Sequence, residues 1–141
     1  RNLRTLAAPL VQLLNIYLGS HPVPGEVLVP VPLHPKRLKE RGYNQSALLA
    51  GELGKLTNLP VVENCLVRQQ HTPPQAKTAT VEERRSNVSE AFICRTDGLR
   101  SRQVILIDDV ATSGATLNAC AQALKAAGAA AVWGLVMARE I

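Results

Sequence analysis

The chain has 141 residues, of which 46% are hydrophobic and 19% charged, a composition that predicts one folded domain and excludes a largely disordered chain. The net charge of +5 favours an anionic partner, but the aromatic content of 3% argues against a surface dedicated to stacking bases. The cysteines are widely spaced, which excludes a C-x-x-C zinc site. Neither a signal peptide nor a membrane span is recognisable, so we expect a cytoplasmic protein without membrane insertion.

In the first half of the chain, the apolar pattern predicts a helix, a strand and a second helix. An amphipathic helix over residues 2–18 is expected to pack on the domain and to end at Gly19 and the prolines that follow. Residues 27–31 predict a strand, in which Pro30 conflicts with an interior position because proline has no N–H to donate. We expect pairing to weaken there and the prolines to turn the chain out of the sheet. The second helix is predicted from an N-cap at Asn44 to about Thr57. Gly51 and Gly54 would allow it to pack closely on the sheet, and its buried stripe is predicted to contain Leu48, Leu49, Leu53 and Leu56.

In the second half, short strands are predicted at residues 61–62 and 91–94, with a polar stretch between them that lacks apolar periodicity. Asp97 and Gly98 predict a turn before a buried strand over residues 104–107. The helix after it is predicted to bury Cys120 and to stop at Gly128. A last strand is expected over residues 130–137, with Gly134 as a point of close approach. This alternation predicts an α/β fold with an open, mostly parallel sheet flanked by helices, as one domain over residues 1–141.

Residues 104–116 carry the chemistry. Four large aliphatic residues predict a strand buried on both faces, and Asp108 and Asp109 follow them directly. A run of small and hydroxyl-bearing residues then leads into the helix, whose first N–H groups and positive dipole end suit a phosphate. Carboxylates beside a phosphate suit sugar hydroxyls or a Mg2+ ion. The stretch therefore predicts a site for a phosphorylated sugar with a metal, and it matches neither a Walker A loop nor a G-x-G-x-x-G fingerprint.

A basic segment follows the first strand, with four cationic residues between positions 36 and 41. In a parallel sheet this segment would lie at the same edge as the acidic pair. A second anion-binding element and an ordinary solvated surface are equally compatible with the residues alone.

Two resemblances narrow the prediction. The run Asp-Asp-Val-Ala-Thr-Ser-Gly-Ala-Thr at residues 108–116 closely resembles the 5-phosphoribosyl-1-pyrophosphate (PRPP) motif of type I phosphoribosyltransferases. Val-Pro-Val-Pro-Leu-His-Pro at residues 29–35, with Arg37 and Arg-Gly-Tyr-Asn-Gln at residues 41–45, resembles the ComF/GntX family of bacterial proteins linked to natural competence and use of external DNA. Together with the stretch between them, these motifs cover about residues 27–137. Family members usually carry an N-terminal cysteine-rich zinc ribbon, which this sequence does not include, so we expect a shortened or trimmed member.

The resemblance implies binding of PRPP, or a related phosphorylated ribose or nucleotide, and Mg2+-dependent transfer of the phosphoribosyl group with release of pyrophosphate. Asp108 and Asp109 would hold the metal and the ribose hydroxyls, and Asp109 would also steady the developing cation. Residues 68–87 resemble the loop that closes over PRPP, where Arg84 is the second catalytic candidate. The remaining ligand contacts would come from Ala111, Thr112, Ser113, Gly114, Ala115, Thr116, Leu33, His34, Lys36, Arg37 and Arg41.

The resemblance also implies partners in the DNA-uptake machinery and allows a homodimer. The alternative is a non-catalytic PRPP- or nucleotide-binding accessory or regulatory protein of competence and DNA uptake. Both alternatives require the same phosphate site, so the residues alone do not separate them.

Overall fold

The computed structural model describes residues 7–20, 22–33, 38–40, 42–68, 92–111 and 114–139. These residues form three long helices and five strands, and none of the described helices is long and apolar enough to cross a membrane. In chain order, the elements are α1 (Ala7–Ser20), β1 (Val27–Pro30), α2 (Gln45–Thr57), β2 (Leu66–Arg68), β3 (Phe92–Cys94), β4 (Gln103–Ala111), α3 (Ala115–Ala126) and β5 (Ala131–Arg139).

The central sheet is parallel and has the strand order β1-β4-β5. Strand β4 lies in the middle, and helices cover both of its faces. This confirms the predicted α/β class with a parallel sheet flanked by helices. Strands β2 and β3 pair antiparallel with each other in a separate two-stranded sheet, with Arg68 opposite Phe92. Residues 69–91 therefore connect the two strands of one hairpin.

The aliphatic run of β4 is buried on both faces, as its lack of polar alternation predicts. Val104 and Leu106 pack towards α3 and the β2–β3 hairpin, in a cluster that also contains Cys120. Ile105 and Ile107 pack towards α1 and α2 on the other face. All four β4 residues are at most 3% exposed. The two clusters hold β4 in place from both sides, and the acidic pair continues from it.

Strand β1 ends at Pro30, in agreement with the expectation that the prolines turn the chain out of the sheet, but the expected weakening of pairing at Pro30 is wrong. Pro30 lies opposite Ile107, and the next residue, Val31, still donates its N–H to the carbonyl of Ile107 at 2.9 Å. Leu28, two residues before Pro30, donates its N–H on the opposite side of the strand, to the carbonyl of Pro60 at 2.9 Å. Since N–H directions alternate along a strand, the missing donor of Pro30 falls on the side away from β4, where the parallel ladder does not need it.

The helix boundaries mostly follow the predicted signals. Helix α1 ends at Ser20, between Gly19 and the prolines that follow, which confirms the predicted end. Helix α2 begins after Asn44, whose side chain accepts hydrogen bonds from two first-turn N–H groups, and this confirms the predicted N-cap. Leu56 is 46% exposed rather than part of the buried stripe. The stripe contains Leu49 and Leu53, as predicted, together with Ser46, Ala50 and Gly54, whereas Leu48 is half-buried.

The end of α3 is a Schellman motif centred on Gly128, as predicted. Gly128 has a φ of +103° and donates its N–H to Lys125, while Ala129 donates to Leu124. The expectation of a close approach at Gly134 is wrong, because a Cβ placed there would lie 4.0 Å from Leu117, an ordinary contact distance.

Candidate functional site

The acidic pair lies at the edge of the sheet where β1 and β4 end. Because the two strands are parallel and Pro30 is level with Ile107, Asp108 comes directly beyond the last residue of β1. The pair does not terminate its own strand, however. Asp108 is opposite Val136 in β5, and β4 continues to Ala111. The expectation that the strand stops before the carboxylates is wrong, because β5 is long enough to pair with β4 beyond them.

Asp108 is buried, with 8% of its surface exposed, whereas Asp109 is half-buried. The Oδ1 atom of Asp108 accepts a hydrogen bond from the N–H of Asp109 at 2.9 Å and another from the hydroxyl of Ser46 at 3.3 Å. Burial raises the pKa of Asp108 to about 6 from its ordinary value of 3.8, and the carboxyl of Asp109 adds to the rise by hydrogen bonding to it and by its charge. The two carboxyls are therefore close to each other.

The oxygen donors of the pair fit Mg2+. Among the residues that the structure describes, no cluster of three or more metal-ligating side chains exists. Two adjacent carboxylates are nevertheless the usual protein contribution to a Mg2+ site completed by substrate phosphate oxygens and water. Asp108 and Asp109 are therefore the residues that would hold this metal.

Helix α3 begins shortly after the end of β4. Gly114 is its N-cap residue, with a φ of +79°, and as a glycine it has no side chain with which to cap the helix. A Cβ placed on Gly114 would meet no atom within 4 Å, so the space beside this turn is open. Ala115 and Thr116 form the first turn, and the side chain of Thr116 is half-buried. Helix α2, at the same edge, differs because the side chain of Asn44 caps it. The positive end of α3 therefore lies at a turn without an N-cap side chain, an arrangement that suits an anion.

The segment after β1 begins at the same edge of the sheet, where β1 ends beside β4. Leu33, the last of its described residues before position 38, is half-buried. At its far end, the amide Nδ2 of Asn44 donates to the carbonyl of Val31 at 3.1 Å, which ties the start of α2 to the end of β1. Several predicted ligand contacts lie outside the described residues: His34, Lys36, Arg37, Arg41, Arg84, Thr112 and Ser113.

Two features of the site region were not predicted from the sequence. Ser46 is hydrogen-bonded to Asp108 although the two residues are 62 positions apart. Its signal in the sequence was a serine on the apolar stripe of a helix, at a position that packing alone would give to an apolar residue. The guanidinium of Arg68 lies 4.7 Å from the ring centroid of Phe92, and its Nε atom is buried without a hydrogen-bond partner in the described structure.

No protein-family model matches the chain. Curated relatives do match the chain. The chain is 37% identical over 117 residues to competence protein F of Haemophilus influenzae, covering 80% of this chain and 51% of the relative. It is 35% identical to competence protein ComFC of Bacillus subtilis over 105 residues, covering 74% of this chain and 40% of the relative. It is 33% identical to the DNA utilization protein YhgH of Escherichia coli K12 over 105 residues, covering 74% of this chain and 45% of the relative. The chain thus spans about half the length of these relatives, or less.

Solved structures match at the level of the fold. Glutamine PRPP amidotransferase from B. subtilis, complexed with ADP and GMP, aligns with a TM-score of 0.64 and 18% identity, over 96% of this chain and 27% of that one. Purine phosphoribosyltransferase from Pyrococcus horikoshii aligns with a TM-score of 0.53 and 16% identity, over 91% of this chain and 68% of that one. Over the region that it shares with its curated relatives, the chain therefore belongs to the ComF family, and its fold is that of the type I phosphoribosyltransferases.

Proposed function

We propose that this protein binds PRPP together with Mg2+ at the carboxyl edge of its sheet and transfers the phosphoribosyl group with release of pyrophosphate. One observation carries the proposal. A buried and a half-buried carboxylate stand side by side on the central strand, shortly before a helix whose N-cap residue is a glycine. A sugar diol and a phosphate in one ligand would satisfy both groups at once.

In this proposal the described residues bind and orient the ligand. The first turn of α3, from Gly114 to Thr116, receives the 5-phosphate through backbone N–H groups and the hydroxyl of Thr116. Asp108 and Asp109 accept hydrogen bonds from the ribose hydroxyls. When bound, Mg2+ would neutralise charge on the pyrophosphate leaving group. No protein nucleophile is needed, since orientation and fixed charges can provide most of the acceleration.

Asp109 is the catalytic residue that the geometry favours. It is the more exposed member of the pair, so its carboxylate can face the ribose while Asp108 is held from behind by Ser46. A carboxylate there would stabilise the positive charge that develops on the ribose carbon. The role of Arg84, and pyrophosphate binding by Leu33, His34, Lys36, Arg37 and Arg41, stay predictions.

A second function uses the same site without turnover. The curated relatives are named for competence and for DNA utilisation, and those names mention no transfer reaction. This favours a PRPP- or nucleotide-binding accessory protein as the alternative. In either case we propose a role linked to DNA uptake or utilisation, with partners in that machinery. A cytoplasmic location and a homodimer also stay predictions, to be tested by cell fractionation and by measuring the mass in solution.

Isothermal titration calorimetry tests the ligand. The wild-type protein should bind PRPP in the presence of Mg2+, and a variant with both Asp108→Asn and Asp109→Asn should lose that binding while still unfolding cooperatively. Glu63→Gln is the matched control, because it removes one carboxylate from an exposed position. Unchanged affinity in the double variant would place the ligand elsewhere.

Pyrophosphate release then separates the two functions. The wild-type protein is incubated with PRPP, Mg2+ and a panel of nucleobases and amines as acceptors. Release that depends on one acceptor and disappears in the double variant supports the transferase. Tight binding without release for any acceptor supports the accessory protein.

A further inference from the structure

Ser46 and Asp108 are the two polar or charged side chains that are buried in the described core, and they are hydrogen-bonded to each other. Ser46 is 3% exposed and Asp108 is 8% exposed. The hydroxyl of Ser46 donates to Oδ1 of Asp108 at 3.3 Å, which links the first turn of α2 to the central strand. Burying a polar group costs free energy unless it has a well-placed hydrogen-bond partner, so this buried pair calls for an explanation.

The helix does not need this hydroxyl. The side chain of Asn44 already caps α2, accepting hydrogen bonds from the N–H of Ser46 at 2.9 Å and from that of Ala47 at 3.4 Å. The intrinsic helix propensity of serine is less favourable than that of alanine by about a few tenths of a kcal/mol. Helix stability and the surrounding apolar packing would both be served better by alanine. The effect of the hydroxyl therefore falls on Asp108.

The hydrogen bond restricts the orientation of the Asp108 carboxyl. One of its oxygens, Oδ1, accepts from two donors that belong to different parts of the chain, the N–H of Asp109 and the hydroxyl of Ser46. The first donor is the adjacent residue on the same strand and moves with it. The second is attached to α2 and fixes the carboxyl relative to the rest of the domain. With Oδ1 held by both donors, rotation of the carboxyl is restricted.

The geometry points to Ser46 as a positioning residue that presents the acidic pair to the ribose hydroxyls and to Mg2+. This inference rests on the proposed function, because it concerns the same site. It is the arrangement found around carboxylate ligands in general, where an outer hydrogen bond orients the group that contacts the metal. Ser46 itself contacts neither ligand in this arrangement.

The test compares PRPP affinity with Mg2+ and with EDTA in three variants. Ser46→Ala should weaken binding with Mg2+ by about tenfold, which is the lower end of the effect seen when an outer hydrogen bond to a metal ligand is removed. Its affinity in EDTA should fall by less, because only the ribose contacts then depend on the orientation of the acidic pair, and the phosphate contacts at α3 do not involve Ser46. Ser46→Thr keeps the hydroxyl and should restore the Mg2+-dependent part of the affinity.

Thr57→Val is the matched control. It removes another hydroxyl from α2, one that donates to the carbonyl of Leu53 at 2.8 Å at the opposite end of the helix. This variant should lose stability but keep both affinities. If α2 stability alone were responsible, Thr57→Val and Ser46→Ala would behave alike, and the inference would be overturned.

The outcomes separate the inference from the proposed function. If the wild-type protein does not bind PRPP under either condition, the proposed function fails, and the role of Ser46 fails with it. If the wild-type protein binds PRPP and Ser46→Ala binds it equally well, or loses affinity equally with Mg2+ and EDTA, only the inference fails. Failure of Ser46→Thr to recover the affinity would also overturn it.

Discussion

Replacing Asp108 with asparagine should make the protein more stable and less able to bind its ligand. The pKa of Asp108 in the folded protein, about 6, lies above its ordinary value of 3.8, so the fold favours the protonated carboxyl. This contribution to stability is fully present below pH 3.8 and is lost as the pH rises through about 6. The whole rise corresponds to a cost of about 3 kcal/mol above that pH. Asparagine has the same shape and no charge. After allowance for local relaxation, we expect Asp108→Asn to raise the free energy of unfolding by about 1–3 kcal/mol at about pH 8.

Urea unfolding at about pH 8 and about pH 4 measures this effect. The stabilisation should appear at the higher pH and largely disappear at the lower one, where the carboxyl of Asp108 is protonated in the folded wild-type protein. Glu63→Gln is the control, since it changes the net charge by the same amount at an exposed position. It should alter the free energy of unfolding by less than about 0.5 kcal/mol.

Two results would refute the reasoning. The first is a loss of stability in Asp108→Asn at about pH 8, which would mean that the buried carboxylate is well compensated in the native state. The second is a gain in stability that does not depend on pH, since charge would then not be its source. A stabilised variant that still binds PRPP with Mg2+ as the wild type does would confirm the electrostatics and remove Asp108 from the site.

Further predictions concern three glycines. Gly51→Ala should stabilise the protein by about 0.5–1 kcal/mol, because a Cβ there meets no atom within 4 Å and alanine favours the helix. Gly54→Ala should destabilise it by about 1–3 kcal/mol, because its Cβ would lie 2.8 Å from Val61 and 3.0 Å from the carbonyl oxygen of Leu59. Thermal unfolding of the pair measures both, and equal shifts would contradict the close packing of α2. Gly114→Val should weaken PRPP binding in calorimetry, because its φ of +79° is strained for valine and the side chain would fill the open space; normal binding would place the phosphate elsewhere.

Much of the fold could be predicted because several signals are local. An aliphatic run without polar alternation indicates burial on both faces wherever the strand sits in a parallel sheet. Asn44 and Gly128 act through their own backbone neighbourhoods, one as a side-chain cap and the other through a positive φ. Such signals do not depend on distant partners, so the sequence carries them completely.

The errors came where a distant partner decides the outcome. Strand β1 stays paired with β4 through its last residue, Pro30, because the missing N–H of Pro30 would face away from β4. No local pattern in the sequence reveals which side of a strand is paired. Strand β4 passes through the acidic pair because β5 continues alongside it to Arg139. The antiparallel pairing of β2 with β3 likewise depends on residues more than 20 positions apart.

The site itself shows why burial and function must be considered together. From the sequence, Asp108 and Asp109 formed a pair at the end of a strand, and only the family resemblance singled out Asp109, as the group that would steady the developing cation. The structure distinguishes them: Asp108 is buried and accepts a hydrogen bond from Ser46, whereas Asp109 is half-buried. A sequence selected for stability alone would place neither a carboxylate nor a serine at these two buried positions. Local rules are broken in natural proteins mainly where function requires it. The cost of burying Asp108 is therefore evidence for a ligand that offsets it, and a cation or a sugar diol bound at the pair would do so directly.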